Sequence, residues 1–251
     1  MSRGLGDVYK RQLLDHIHNG HTGVLCQLQT FGVNRRDGAV AGQCNADGFA
    51  QAVHAVGRVH AGAGAAARAA VAGAIRSGYR MFDCAACYGN EHQIGEVFKT
   101  AFDEGVVERK DLFIMTKVWN DMHRKVEEAC TKSIQDLQCD YVDLYFIHWP
   151  FPNYHAPHCD VDSRNPDSKP FTVERFMKTW RQMERLVDMG LTKHIGMSNM
   201  TIPKLEAVLP LCRIKPAAIE MELHPCFQQQ EQYDYLVAHN IQPVGLSLIH
   251  I

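Results

Sequence analysis

The sequence predicts an α/β fold built on a parallel sheet, and three observations carry that prediction. From residue 79 onward, short apolar runs of strand length alternate with longer segments whose apolar residues recur at helical spacing. Strands separated by helices pair in parallel, because each crossover returns the chain to the same end of the sheet. No G-x-G-x-x-G follows an early strand, which weighs against a Rossmann domain and leaves a closed barrel beside other doubly wound sheets.

The elements follow in order. Residues 80–84 form a short strand. Residues 91–104 place Ile94, Val97, Phe98, Ala101 and Phe102 on one helical face, and Gly105 can end that helix. Residues 111–117 (DLFIMTK) are a strand. Residues 124–137 carry an apolar stripe through Val126, Ala129, Cys130, Ile134 and Leu137, and residues 141–147 (YVDLYFI) are the next strand. A long loop over residues 149–172, rich in Pro, Asn, Asp and His, has the length and composition of a functional or disordered segment. A helix over 173–189 turns Phe176, Met177, Trp180, Met183 and Val187 inward and stops at Gly190. Strands are then expected over 194–198, 217–222 and 242–245, with helices over 203–211 and 231–239. Upstream, residues 61–74 are nearly all Ala, Gly, Val and Arg; a helix over 68–77, a flexible insert and a frame-shifted stretch are all open readings there.

Composition excludes several function classes. The chain has 251 residues, enough for one sizeable core, and a formal net charge of -2, which gives no basis for nucleic-acid binding. No apolar run is long enough to cross a bilayer, and no signal-peptide core opens the chain. Nine scattered cysteines, an odd number, read as reduced thiols of a cytoplasmic protein. The sequence sets no oligomeric state. Residues 1–12 and 246–251 read as added sequence, and residues 1–30 as an anomalous segment ahead of a barrel over 31–245.

In a β/α barrel, reactive residues sit at the C-terminal ends of strands and in the loops that follow. Asp83 ends one expected strand and Tyr88 follows in its loop. Lys117 ends the next and His148 the one after; Ser198 and Asn199 follow, then Glu220 and Glu222. A phenol is a poor acid at neutral pH, and a neighbouring ammonium lowers its pKa. Lys117 is placed by sequence to do this for Tyr88, with Asp83 holding the ammonium and His148 orienting a carbonyl. Reduction also needs a hydride, which only a cofactor supplies. A zinc site from His148, His155, His158 and Cys159 is a competing reading, but the spacing matches no strong pattern and no metal is expected. Cys84 and Cys87 share the Tyr88 loop and read as small apolar filler.

Five segments, in order, resemble the signatures of the aldo-keto reductase superfamily, in its aldose-reductase and xylose-reductase branch: FDCAACYGNE (82–91), TKVWN (116–120), DLYFIHWP (143–150), IGMSN (195–199) and EMELHP (220–225). The resemblance spans about residues 78–245 and implies a (β/α)8 TIM barrel that reduces an aldehyde or ketone to an alcohol with NADPH and without a metal. It implies a catalytic tetrad of Asp83, Tyr88, Lys117 and His148, with Tyr88 the general acid. Ser198 and Asn199 are implied to hold the nicotinamide carboxamide, with Asp83 also on the cofactor side. Glu220 falls where many relatives have Gln; a carboxylate accepts from an amide but donates to it only when protonated. Trp119, Trp149 and His148 are implied to wall the substrate pocket.

Departures from the pattern set further expectations. Residues 30–33 (TFGV) best match the family's first strand, and the stretch from there to Asp83 is longer than in relatives. The eighth strand and the C-terminal segment that grips the 2′-phosphate are not found after residue 245, so the barrel is expected to be incomplete. An inactive fragment, or a cofactor-sensing protein on the same fold, is the alternative to a working reductase.

Overall fold

A computed structural model of the chain describes residues 25–28, 51–52, 64–152, 168–223 and 227–247. The expected strand at residues 30–33 and the loop histidines His155 and His158, with Cys159, lie outside the described residues.

Among the described residues, eight strands form one parallel sheet. They are β1 (Leu25–Leu28), β2 (Gln51–Ala52), β3 (Tyr79–Asp83), β4 (Phe113–Val118), β5 (Val142–Ile147), β6 (Thr192–Ser198), β7 (Ala218–Glu222) and β8 (Gln242–Ser247). The order is β1-β8-β7-β6-β5-β4-β3-β2, so β3 to β8 are neighbours in sequence order and the two short strands sit at the edges. Among the described residues β1 and β2 end that order without pairing to each other, in keeping with an incomplete barrel. Two differences from the sequence reading stand out. β1 falls inside the segment set aside as anomalous, and β8 runs two residues past the expected end. There Glu222 pairs with Leu246 and β1 pairs along β8 from Val244 to Ser247.

Helices fill the crossovers: α1 (Gly64–Arg76), α2 (Glu91–Asp103), α3 (Val126–Asp136), α4 (Val173–Asp188), α5 (Ile202–Val208) and α6 (Gln230–Ala238). Of the open readings for the Ala-rich stretch, the helix is the one found, and it begins four residues before the expected start. α4 starts where the Thr172 side chain accepts from the Arg175 amide at 3.3 Å, satisfying one of the free donors of the first turn. Its interior anchor is Trp180, fully buried, whose Nε1–H donates to the Ile214 carbonyl at 3.1 Å. Leu186 rather than Val187 occupies the last buried position of the stripe.

Strand side chains alternate between two apolar environments. One face, through Phe82, Ile114, Val118, Tyr145, Ile147, Ile195, Met197, Ile219 and Met221, packs on the helices. The other face carries a second cluster of Met81, Met115, Leu144, Phe146, Ala218 and Val244, the sheet's inner lining. Gly196 on β6 belongs to this inner face. A Cβ there would lie 2.5 Å from the Phe146 ring and 2.8 Å from the Ala218 carbonyl, so only glycine lets the ring settle across the neighbouring strand.

The N-terminal ends of the central strands are clamped by Asp143. Its carboxylate accepts from the Ile114 amide at 2.9 Å, from Arg109 at 2.9 Å and from Lys193 at 2.8 Å. Both cations also pack on the Tyr141 ring, 4.0 Å and 4.4 Å from its centroid. A similar tie joins α2, β4 and α3: buried Glu91 accepts from Thr116 at 2.5 Å and from Ser133 at 2.9 Å. Asp143, part of the DLYFIHWP motif, therefore has a structural task at the end of the sheet away from His148.

Two predictions follow from packing and burial. Trp180→Ala should lower unfolding free energy by about 3–5 kcal/mol in urea titration, through the cavity it leaves. His123 is buried, and burial depresses its ring pKa to about 4. The unfolded chain binds the extra proton below its ordinary value of 6.5, so stability should fall as pH drops from about 6.5 to 4. His123→Gln should flatten that part of the stability–pH curve; an unchanged acid limb would count against this origin.

Candidate active site

Period-two alternation carries the inner face upward past the apolar cluster. Asp83 lies two residues beyond Met81, Lys117 two beyond Met115, His148 two beyond Phe146, Ser198 two beyond Gly196 and Glu220 two beyond Ala218. A polar layer thus caps the apolar layer at the C-terminal ends of β3 to β7. The cross-strand register supports it: Lys117 pairs with Phe146, Ser198 with Glu220, and Glu220 with Val244.

Lys117 is the centre of the layer and is fully buried. Its Nζ donates to both Asp83 oxygens, at 2.6 and 2.7 Å, and to the Cys84 carbonyl at 3.2 Å. Glu220 Oε2 lies 3.3 Å away, an ion-pair contact without hydrogen-bond alignment. Burial alone would lower the Lys117 pKa, but Asp83, then Glu220 and Tyr88, raise it well above the usual lysine range. The side chain is therefore a fixed cation. Asp83 is pushed up by burial and pulled back by Lys117; with both oxygens accepting from the ammonium, the ionised form is the one the geometry serves.

Tyr88 ends a 3₁₀ turn, Ala86–Tyr88, that directly follows β3. Gly89 closes the turn at a φ of 64°, a left-handed conformation that suits glycine. The turn swings the ring over the Lys117 ammonium, 5.8 Å from the ring centroid. Burial raises the Tyr88 pKa, Lys117 opposes it, and Asp83, Cys87 and Glu220 add to the rise. Tyr88 keeps part of its surface exposed. The expected acidification by Lys117 is present but outweighed by desolvation, so the phenol holds its proton tightly.

His148 completes the group from β5. Its ring lies edge-on to Tyr88 at 6.2 Å between centroids and edge-on to Trp119 at 4.8 Å. Cys87 Sγ approaches His148 Nδ1 at 3.6 Å. The carbonyl of His148 accepts from Asn199 Nδ2 at 2.9 Å, and Asn199 adopts a left-handed φ of 57° to make that reach. Trp149, half-buried, follows in the chain.

Asp83, Tyr88, Lys117, Trp119, His148, Trp149, Ser198, Asn199 and Glu220 thus lie at one end of the sheet. Asp83, Lys117 and Glu220 touch; Tyr88, His148 and Trp119 pack as a ring cluster; Ser198 sits beside Glu220 across β6 and β7. Sequence reasoning missed two contacts. Cys87 was read as filler, yet it is exposed beside His148. Cys84 and Cys87 have C-x-x-C spacing, but Cys84 enters the core between sheet and helices while Cys87 is exposed, and both are free thiols. The contact of Glu220 with Lys117 was also missed; the shared parity of the two strand ends was the available signal. Two open surface hollows, lined by Ile202, Pro203 and residues 229–232 and by residues along α3, contain none of the ring residues. Among the described residues no group of His, Cys, Asp and Glu is arranged to hold a metal ion, and no helix is long and apolar enough to cross a membrane.

The model of the Aldo/keto reductase family matches residues 60–250. An aldose reductase from Encephalitozoon cuniculi is 46% identical over 180 residues, covering 71% of this chain and 59% of that protein. An NADH-dependent D-xylose reductase from Candida parapsilosis is 41% identical, covering 69% of this chain and 56% of that protein. A solved Bombyx mori aldo-keto reductase in complex with NADP superposes with a TM-score of 0.62 at 31% identity, over 71% of this chain and 55% of that one. The chain thus spans a little over half the length of the relatives it matches.

The Lys117–Asp83 pair yields a stability prediction. Lys117→Met should lower unfolding free energy by about 3–5 kcal/mol, because it leaves a buried carboxylate alone. Lys117→Met combined with Asp83→Asn should regain part of that loss in denaturant titration. A single variant as stable as the parent would show that the pair does not hold the strand ends together.

Proposed function

Because this chain belongs to the aldo/keto reductase family, we propose that it reduces an aldehyde or ketone to the alcohol with NADPH, using Tyr88 as the proton donor. One observation carries the reading: a fully buried ammonium, fixed on both oxygens of Asp83, lies beneath the Tyr88 ring and across from His148.

The fit to a nicotinamide cofactor rests on orphaned polar atoms. Ser198 Oγ and Glu220 Oε2 are buried and make no hydrogen bond among the described residues. They are register partners on adjacent strands, so a planar amide lying across β6 and β7 meets both. Ser198, Glu220 and Asn199 would hold the carboxamide, with Asp83 behind the reacting end. A bound dihydronicotinamide supplies the hydride, which no side chain can.

The chain's own residues do the rest. His148, held by Asn199 through its carbonyl, orients the substrate oxygen toward Tyr88. As negative charge grows on that oxygen, the Tyr88 hydroxyl transfers its proton to it, and the fixed charge of Lys117 stabilises the phenolate left behind. Asp83 keeps Lys117 in place. Trp119, packed on His148, and Trp149 form an apolar wall that excludes water. The intact tetrad supports a reductase rather than a cofactor sensor. The free thiols of Cys84, Cys87, Cys130, Cys139 and Cys212 fit a reducing compartment, the cytoplasm.

Tyr88→Phe removes the transferable proton and little volume. It should reduce aldehyde turnover by about 10²–10⁴-fold while leaving NADPH affinity, read by fluorescence titration, nearly unchanged. Undiminished turnover would remove Tyr88 from the mechanism.

A further inference from the structure

We propose that Glu220 serves as a neutral carboxylic acid, whose hydroxyl donates to and whose carbonyl accepts from the two polar atoms of one planar ligand amide, and that its ionisation weakens the hold on that ligand. The ligand part rests on the nicotinamide reading above; the protonation part stands on the geometry of the unliganded site.

The geometry begins with a shortage of donors. The Lys117 ammonium already has three acceptors around it, both Asp83 oxygens and the Cys84 carbonyl. Glu220 Oε2 is the fourth oxygen, at 3.3 Å, and forms no hydrogen bond. The Glu220 side chain is 3% exposed, so water does not make up the difference. One cation therefore faces two buried carboxyl groups, and Asp83 has the better geometry. A second buried anion with an unsatisfied oxygen is unfavourable, and the more stable arrangement keeps a proton on it. Among the described residues, three titratable groups face Glu220. Asp83 from β3 repels its charge, Lys117 from β4 attracts it, and Tyr88 from the turn after β3 is neutral. β6 presents Ser198 and β8 presents Val244, neither of them titratable. Burial and then Asp83 outweigh Lys117, pushing Glu220 up to about 8.

A protonated carboxyl has one donor and one acceptor on neighbouring atoms, the pattern that complements a carboxamide. Next to it, Ser198 Oγ is a second buried hydroxyl without a partner among the described residues. An anionic Glu220 keeps only acceptors, so the amide oxygen loses its donor and faces a charge.

Three measurements test this. Infrared titration of the unliganded protein should show a protonated carboxyl band at pH 6 that fades through pH 8–9 and is missing from Glu220→Gln. Thermal unfolding should show the same group: a carboxyl with a raised folded pKa binds its proton more tightly when folded, so stability should fall as pH rises from about 5 to 9. Glu220→Gln should flatten that fall. NADPH affinity, by fluorescence, should weaken about tenfold from pH 6 to pH 9 in the parent, following the neutral fraction of Glu220, and by much less in Glu220→Gln. An infrared spectrum unaltered by the substitution overturns the neutral acid. A parental affinity with the same pH dependence as the variant's overturns the ligand role alone. No NADPH binding by either protein at any pH overturns the cofactor reading, while the infrared and thermal titrations still decide the state of Glu220.

Discussion

The Lys117–Asp83 ion pair is the interaction on which the polar end of the sheet depends. An ammonium with no exposed surface is tolerable only when its donors are taken, and Asp83 and the Cys84 carbonyl take them. The pair bridges β3 to β4, so it fixes the start of the turn that carries Tyr88. It also fixes the charge beneath the Tyr88 ring and sets the field in which Glu220 chooses its protonation state. Without it, the remaining ring residues would still share a side of the sheet but would lack a common electrostatic centre.

The apolar layer below makes this arrangement possible. Parallel strands with matched register put side chains of the same parity at the same height, and Met81, Met115, Leu144, Phe146, Ala218 and Val244 fill the interior beneath the polar groups. Gly196 is part of the fit, because its missing Cβ admits the Phe146 ring. The site is polar atoms on a dry base, the setting in which a few fixed charges act strongly. The same dryness raises the pKa of the Tyr88 phenol and keeps it neutral above the Lys117 ammonium.

Much of this was legible in the sequence. Alternating periodicities placed β3 to β8 and the helices α2 to α6 within a few residues, because each strand is buried on both faces and each helix on one. Strand-end logic gathered Asp83, Lys117, His148, Ser198 and Glu220 without coordinates. The edges were less legible. β1 and β2 carry no such periodicity, and the last described residues of β8 pair with β1, a partner no local signal pointed to. Asp143 looked like part of a site motif, and only its three partners at the opposite strand ends show it to be a clamp. Charge balance is likewise a sum over neighbours, so the competition of Asp83 and Glu220 for one ammonium needs distances rather than spacing.

The Asp143 clamp has a consequence for how such a protein can diversify. It gathers Arg109, Lys193 and the β4 backbone at the end of the strands farthest from Tyr88 and His148. Anchorage and reactivity thus occupy opposite rims. Loops on the reactive rim can lengthen, shorten or exchange side chains without loosening the knot that keeps the strands aligned. On the proposed reading, substrate range is thereby free to drift while the architecture stays put.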